Sequence, residues 1–210
     1  MSDLQILLLG PPGAGKGTQS SRIAEAYDLE HITTGDALRS RKDMQTAHGT
    51  PREYMDAGEL VPDPVVNEIV ESAIEEADGF VLDGYPRNKA QAEFLDEITD
   101  LDVVIYLDVD REELIRRLTG RRVCEDCGEN YHVEFAPPVD QGICDDCGGE
   151  LIQRTDDSEK TVKERLRVFD ETTKPVITYY RSDSIFHQID GNTTPDIVFK
   201  HIVDLLDSIR

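Results

Sequence analysis

Lys16 sits in the run Gly10-Pro-Pro-Gly-Ala-Gly-Lys-Gly-Thr18, after an apolar stretch at Leu4–Leu9 and before a helical pattern at Gln19–Tyr27. A strand feeding a glycine-rich loop that opens a helix is an arrangement for holding phosphate. Glycines let successive backbone N–H groups point inward, the helix N-terminus adds its dipole, and the lysine adds a mobile charge. In one departure from the usual phosphate-binding loop, Gly17 stands where Ser or Thr commonly follows the lysine, with Thr18 next. The bland alternative is a glycine-rich turn between a strand and a helix. With the lysine in register and both flanks in place, the spacing points to a nucleoside triphosphate.

A second group of residues has metal chemistry. Cys124-Glu-Asp-Cys127 and Cys144-Asp-Asp-Cys147 are two C-x-x-C pairs, each followed by a glycine. Two such pairs have the spacing of a four-thiolate zinc site, closed to water and therefore structural. Disulfides fit an oxidising compartment, and a thioredoxin-type pair would explain one C-x-x-C but not two. A third group is the arginines Arg39, Arg87, Arg117, Arg121, Arg154 and Arg165, scattered through a chain in which lysine is scarce and acids outnumber bases two to one. They either pair with the abundant carboxylates or meet an anionic ligand. Phosphoryl transfer needs such an inventory, because charge spreads over the oxygens of the moving group.

The elements that must position these residues read as alternating strands and helices. Strand candidates are Gln5–Leu9, Phe80–Asp83, Val103–Asp108 and Ile185–Ile189, short branched apolar runs suited to a sheet covered on both faces. Asp63-Pro64 reads as a cap and a first-turn proline for a helix to about Ala77. Asp110 and Glu113 read as a capping box. Thr194-Pro195 begins a last helix that carries Ile197, Val198, Ile202, Leu205 and Leu206 on one face. The pattern predicts an α/β fold, a parallel sheet flanked by helices in three layers. Thr33–Val61 is helical in pieces without a core strand, and Gly120–Asp157 carries the cysteines; both read as excursions from the core.

Composition narrows the setting. In 210 residues, 44 Asp and Glu face 22 Lys and Arg, a net charge of −22, and the acids are spread along the chain. Such a surface repels itself in dilute buffer and is steadied when salt screens it. It points to a salt-rich cytoplasm and excludes a nucleic-acid-binding face. No apolar run is long enough for a membrane span and no secretory signal is visible, so a soluble, cytoplasmic protein is expected.

At several separated points the sequence resembles the adenylate kinases, nucleoside monophosphate kinases, in their long form with a cysteine-bearing lid. The points are Gly10–Gln19; Thr33-Thr34-Gly35-Asp36 with Arg39; Gly58-Glu59-Leu60-Val61; Asp83-Gly84-Tyr85-Pro86-Arg87 with Gln91; Gly120-Arg121-Arg122; Tyr131-His132 to Pro138; Arg154 with Asp156-Asp157; and Arg165. The resemblance implies a P-loop core at 1–32, 62–119 and 158–210, an AMP-binding arm at 33–61 and a zinc-containing lid at 120–157. It implies that Lys16 and the amides of Gly13, Ala14, Gly15, Gly17 and Thr18 hold the ATP phosphates. Arg117 would lie on the ATP adenine and Arg121 would reach the phosphates, with Asn130, Tyr131 and Thr194 also against the nucleotide. Thr34, Arg39, Glu59, Leu60, Val61, Gly84, Tyr85, Pro86, Arg87 and Gln91 would form the AMP site, and Arg154 and Arg165 would bridge the two. Asp83 would hold Mg²⁺ through water. The catalytic set would be Lys16, Arg39, Arg87, Arg121, Arg154 and Arg165, with ATP, AMP and ADP as partners of a monomer.

Departures from the family pattern are Tyr85, where phenylalanine is common, and Thr33, where serine is. Met44 and His48 receive no role. The competing readings are an ATP-sensing zinc-ribbon module without transfer activity, and a kinase for UMP, CMP or GMP.

Overall fold

The computed structural model describes residues 3–57 and 59–209. The chain runs β1 (Gln5–Leu9), α1 (Lys16–Tyr27), β2 (Glu30–Thr33), α2 (Thr34–Ser40), α3 (Pro51–Ala57), α4 (Asp63–Glu75) and β3 (Phe80–Asp83). It continues through α5 (Lys89–Ile98), β4 (Val103–Asp108), α6 (Arg111–Gly120), β5 (Arg121–Cys124), β6 (Asn130–His132) and β7 (Leu151–Ile152). It closes with α7 (Glu159–Val168), a π-turn at Phe169–Thr173, α8 (Lys174–Tyr180), β8 (Phe186–Asp190) and α9 (Pro195–Ile209).

Five strands form one parallel sheet in the order β2-β3-β1-β4-β8. Alternation along the strands serves two cores. Leu7, Leu9, Phe80, Leu82 and Val104 face α4, α5 and α8, whereas Ile6, Leu8, Val81, Val103, Ile105 and Leu107 face α1, α6, α7 and α9. Both faces are dry, which is why these strands are nearly unbroken in hydrophobicity. The expected three-layer α/β architecture is present, and both glycine-rich and arginine-bearing segments leave from the carboxyl ends of the strands, where open parallel sheets bind ligands.

Several local expectations need correction. β2 lies outside the strand candidates: of Glu30-His31-Ile32-Thr33 only Ile32 is buried, and the strand pairs on one side alone, so it lacks the apolar signature of its neighbours. The last strand begins one residue later than Ile185. Pro62, not Asp63, occupies the cap position of α4, and Asp63 lies inside the first turn. The capping box at α6 does not form: Asp110 makes no side-chain cap bond, its N–H donates to Asn192 Oδ1 at 3.0 Å, and Glu113 pairs with Arg117 at 2.8 Å. Ile197 turns outward, 44% exposed, while Val198, Ile202 and Leu206 carry the buried face of α9.

Residues 120–152 form a separate three-stranded antiparallel sheet, β6-β5-β7, with a buried cluster of just Cys124, Cys144 and Leu151. Over the surface, ion pairs such as Lys163–Glu159, Lys200–Asp204 and Arg167–Glu164 join exposed partners and contribute little each. They neutralise a minority of the acids. The thermal midpoint should therefore rise from dilute buffer to 1 M KCl, over which the Debye length falls to about 3 Å. Melts across that range check this; a flat or falling midpoint would reduce the acidic surface to a solubility device.

Candidate active site

The phosphate loop leaves β1 and curls because two of its glycines take left-handed backbone angles, Gly13 at φ 87° and Gly15 at φ 91°. A Cβ on Gly13 would also stand 2.9 Å from Leu118, so the loop rests directly on α6. Ala14 is buried, while Gly17 and Thr18 at the start of α1 are open to solvent. Lys16 folds back over the loop, donating to the carbonyls of Gly10 at 2.8 Å and Pro11 at 3.2 Å. Burial pushes its ammonium pKa down, Asp83 pulls it up, and Arg87 and Arg165 push it down further. Those three side chains, from β3, the loop after it and α7, thus act on one point above the loop. Asp83 ends β3 in register with Leu8, and its carboxylate faces Gly17.

On one side of this point lie the residues after β3. Gly84, at φ 81°, offers its carbonyl to Thr34 Oγ1 at 2.7 Å and to Arg87 Nε at 2.8 Å, tying α2 to the 84–87 loop. Arg39 is exposed and paired with Asp36 at 2.5 Å, and Thr33 caps α2 by accepting from Asp36 N at 3.0 Å. Gln91 is buried, accepting from Arg87 N and donating to Asp63, each at 2.8 Å. Glu59 and Leu60 are exposed between α3 and α4, Leu60 at 94%, with Val61 against the core; Gly58 lies outside the described residues. Tyr85 is buried, its hydroxyl donating to Asn67 Oδ1 at 2.8 Å, so the departure from phenylalanine is absorbed inside the core. Burial raises its pKa and keeps the phenol neutral. Pro86 follows it through a cis peptide bond.

On the other side, Arg117 donates to Glu113 and to the carbonyls of Gly191 at 2.8 Å and Thr193 at 3.4 Å, which places it against the loop before α9. The neighbouring Thr194 carbonyl accepts the first bond of α9, from Val198 N. Asp156 and Asp157 gather three of the arginines. Arg121 is held by Asp157 through two bonds of 2.8 and 2.7 Å, Arg165 contacts Asp157 at 3.3 Å and Asp156 at 3.0 Å, and Arg154 pairs with Asp156 at 2.9 Å. Intramolecular pairing is therefore realised, and the two carboxylates hold three guanidinium groups close together. No local pattern signals that Asp157 is wholly buried between Arg121 and Arg165.

In the small sheet, Gly128 N donates to the Cys124 carbonyl and Gly148 N to that of Cys144, two matching turns with the glycines at φ 78° and 76°. They bring the four sulfurs within 4.8 Å of one another, with Cys124–Cys147 at 3.4 Å and Cys127–Cys144 at 3.6 Å. A tetrahedral ion with Zn–S of about 2.3 Å separates its sulfurs by about 3.8 Å, so the set fits zinc. Tyr131, expected beside a nucleotide, turns its hydroxyl to Cys144 Sγ at 3.5 Å and receives Asp145 N at 2.8 Å. Asn130 starts β6 and is exposed. His132, whose part sequence patterns do not signal, brings its Nε2 edge against Gly120 and stacks on Phe135 at 4.2 Å, while Arg116 covers the Phe135 ring. Two surface cavities, beside Lys89 and Lys174 and beside Arg122 and Pro138, are lined by none of Lys16, Asp83, Arg87, Arg121 and Arg165.

A phosphate loop at the carboxyl edge of a five-stranded parallel sheet, with Asp83 and the Arg87 loop following the adjacent strand, is the architecture of the P-loop nucleoside monophosphate kinases. The family model for adenylate kinase matches residues 8–185. Among curated relatives, the adenylate kinase of Haloarcula marismortui is 62% identical over 99% of both chains. Those of Halobacterium salinarum and Natronomonas pharaonis are 57% and 60% identical, each over 99% of this chain and 98% of their own. The chain belongs to the adenylate kinase family. Among the described residues, no helix is long and apolar enough to cross a membrane.

Proposed function

We propose that this adenylate kinase transfers the terminal phosphoryl group of ATP to AMP, reversibly, in the space above Lys16. Support comes from one observation above all: Lys16 lies folded over the phosphate loop after β1, while Asp83 at the end of the adjacent β3 faces Gly17 and the loop after it carries Arg87. The loop amides of Gly13–Thr18 and Lys16 hold the ATP phosphates, with Arg117 and the Thr194 region at its adenine and Arg121, Asn130 and Tyr131 on the lid side. Thr34, Arg39, Glu59–Val61, Gly84–Arg87 and Gln91 receive AMP. Arg154 and Arg165 span both phosphate groups. When bound, Mg²⁺ would neutralise charge on the ATP phosphates beside Asp83, and zinc would tie the two cysteine turns together.

The acceptor phosphate is already an anion, so no strong base is needed; alignment and cationic stabilisation lower the barrier. Water must be excluded, or ATP would be hydrolysed. The arm at 33–61 and the lid at 120–157 close over the core to exclude it. The enzyme works as a cytoplasmic monomer. Measuring ADP formation with AMP, UMP, CMP and GMP in turn tests the reading; ATP consumption independent of AMP would overturn it in favour of a sensor or simple ATPase.

Arg87→Ala should weaken AMP use more than ATP use. A charge-assisted contact to phosphate is worth about 1.5–3 kcal/mol, roughly a tenfold to hundredfold loss. Kinetics with each substrate varied separately check this, and an unchanged AMP response would remove Arg87 from the acceptor site.

A further inference from the structure

We infer that Asp63 sets the base specificity of the acceptor site by fixing which way the Gln91 amide points, so that Gln91 accepts AMP and rejects a 6-oxopurine monophosphate. The inference rests on the proposal that Gln91 meets the acceptor base.

The orientation of Gln91 follows from a closed chain of hydrogen bonds. Arg87 N, a backbone donor, requires the Gln91 oxygen, which it meets at 2.8 Å. That leaves the Gln91 amino group to donate to Asp63 Oδ1, also at 2.8 Å. The other carboxylate oxygen is addressed from a second direction. Gln91 N, again a backbone donor, takes Asn88 Oδ1 at 3.0 Å as the cap of α5, so the Asn88 amino group must point outward, and it donates to Asp63 Oδ2 at 2.7 Å. Position 63 is therefore faced by two donors whose directions are set by two backbone N–H groups. A carboxylate satisfies both; an amide can satisfy one.

Gln91 retains one free N–H and one free lone pair. Adenine presents an amino donor at C6 beside an acceptor at N1, which match them. Hypoxanthine presents an oxygen acceptor at C6 beside N1–H, which requires the inverted amide. Inversion sets donor against donor at Arg87 N and acceptor against acceptor at Asp63, both at a buried side chain. Asp63 does not touch substrate in this arrangement; it is a positioning residue.

The test is the ratio of kcat/KM for AMP to that for IMP, whose purine differs only at these two positions, in the wild type and Asp63→Asn. Asn88 will claim the oxygen of the introduced amide, turning that amide's amino group toward Gln91. The ratio should fall about tenfold or more, the factor of about one lost hydrogen bond, while KM for ATP stays put. Asn88→Ser keeps a cap acceptor and removes the competing donor. Adding it to Asp63→Asn frees the introduced amide's oxygen for Gln91 and should restore much of the ratio, which a general loosening of the site would not do. If Asp63→Asn does not fold, Asp63→Ala removes one tether and should lower the ratio by a smaller factor. A ratio unmoved in Asp63→Asn or its alanine stand-in, with Gln91→Ala abolishing discrimination, overturns the inference alone. A ratio unmoved in Gln91→Ala overturns the acceptor-site role of Gln91 and the inference with it.

Discussion

Asp157→Ala is expected to lower kcat by about a hundredfold or more and to destabilise the protein by about 2–4 kcal/mol. The carboxylate has no exposed surface and receives Arg121 through both Nε and a terminal nitrogen, with Arg165 beside it. Removing one partner of a fully buried pair costs about 3–5 kcal/mol. The smaller figure applies because the Arg121 and Arg165 side chains keep 24% and 30% of their surface in water and can swing outward. On the proposed site that swing would remove activity, because both guanidinium groups would turn away from the phosphates. If Asp157 acts through Arg121, adding Asp157→Ala to Arg121→Ala should cost less kcat than it does in the wild type. Steady-state kinetics and melts of the three variants check this. A kcat within about twofold of wild type in Asp157→Ala would show that the arginines find their places unaided.

Loss of the metal should have the largest effect on the excursion that carries the cysteines. Its buried cluster is Cys124, Cys144 and Leu151 with Tyr131 against it, far too little apolar surface to order some thirty residues. Structural zinc supplies about 10–16 kcal/mol of apparent binding free energy in small cysteine modules at neutral pH. About one zinc per chain is therefore expected on metal analysis. Chelation or Cys144→Ser should melt the segment from about residue 121 to 152 ahead of the five-stranded sheet. Because Arg121 leaves that segment, ADP formation should fall at least about a hundredfold. Hydrogen exchange would show protection lost there and kept in β1, β3 and β4. Protein that contains no metal and keeps full protection of the segment would overturn the assignment.

The phosphate loop, the four cysteines and strands β1, β3 and β4 are legible in the sequence because each is encoded within about ten residues or by a spacing of identical residues. What escapes a sequence reading is what depends on partners far along the chain. β2 is a strand by virtue of β3, fifty residues away in register, and its own residues say little. Asp63 looks like a helix cap from its neighbour Pro64, yet its bonds go to Asn88 and Gln91. Asp157 sits in a visibly acidic pair, but its burial under Arg121 joins residues 36 positions apart. The arginines themselves are visible in the sequence, since they outnumber the lysines about two to one; which carboxylate each one meets is settled only by the fold.

The π-turn at Phe169–Thr173 bears on how such a chain can change length. A single extra residue in a regular helix rotates everything beyond it by about 100°, whereas a wide turn absorbs the addition where it occurs. Upstream, Val162 and Leu166 keep one buried face; downstream, Val176 and Tyr180 keep another. The wide turn also delivers Thr173 to the carbonyl of Arg87 at 2.9 Å. The wide turn thus fastens the helix to the loop that carries Arg87. Deleting one residue of the turn would restore a regular helix and remove that fastening, leaving the loop to its bonds with Thr34, Asn67 and Gln91.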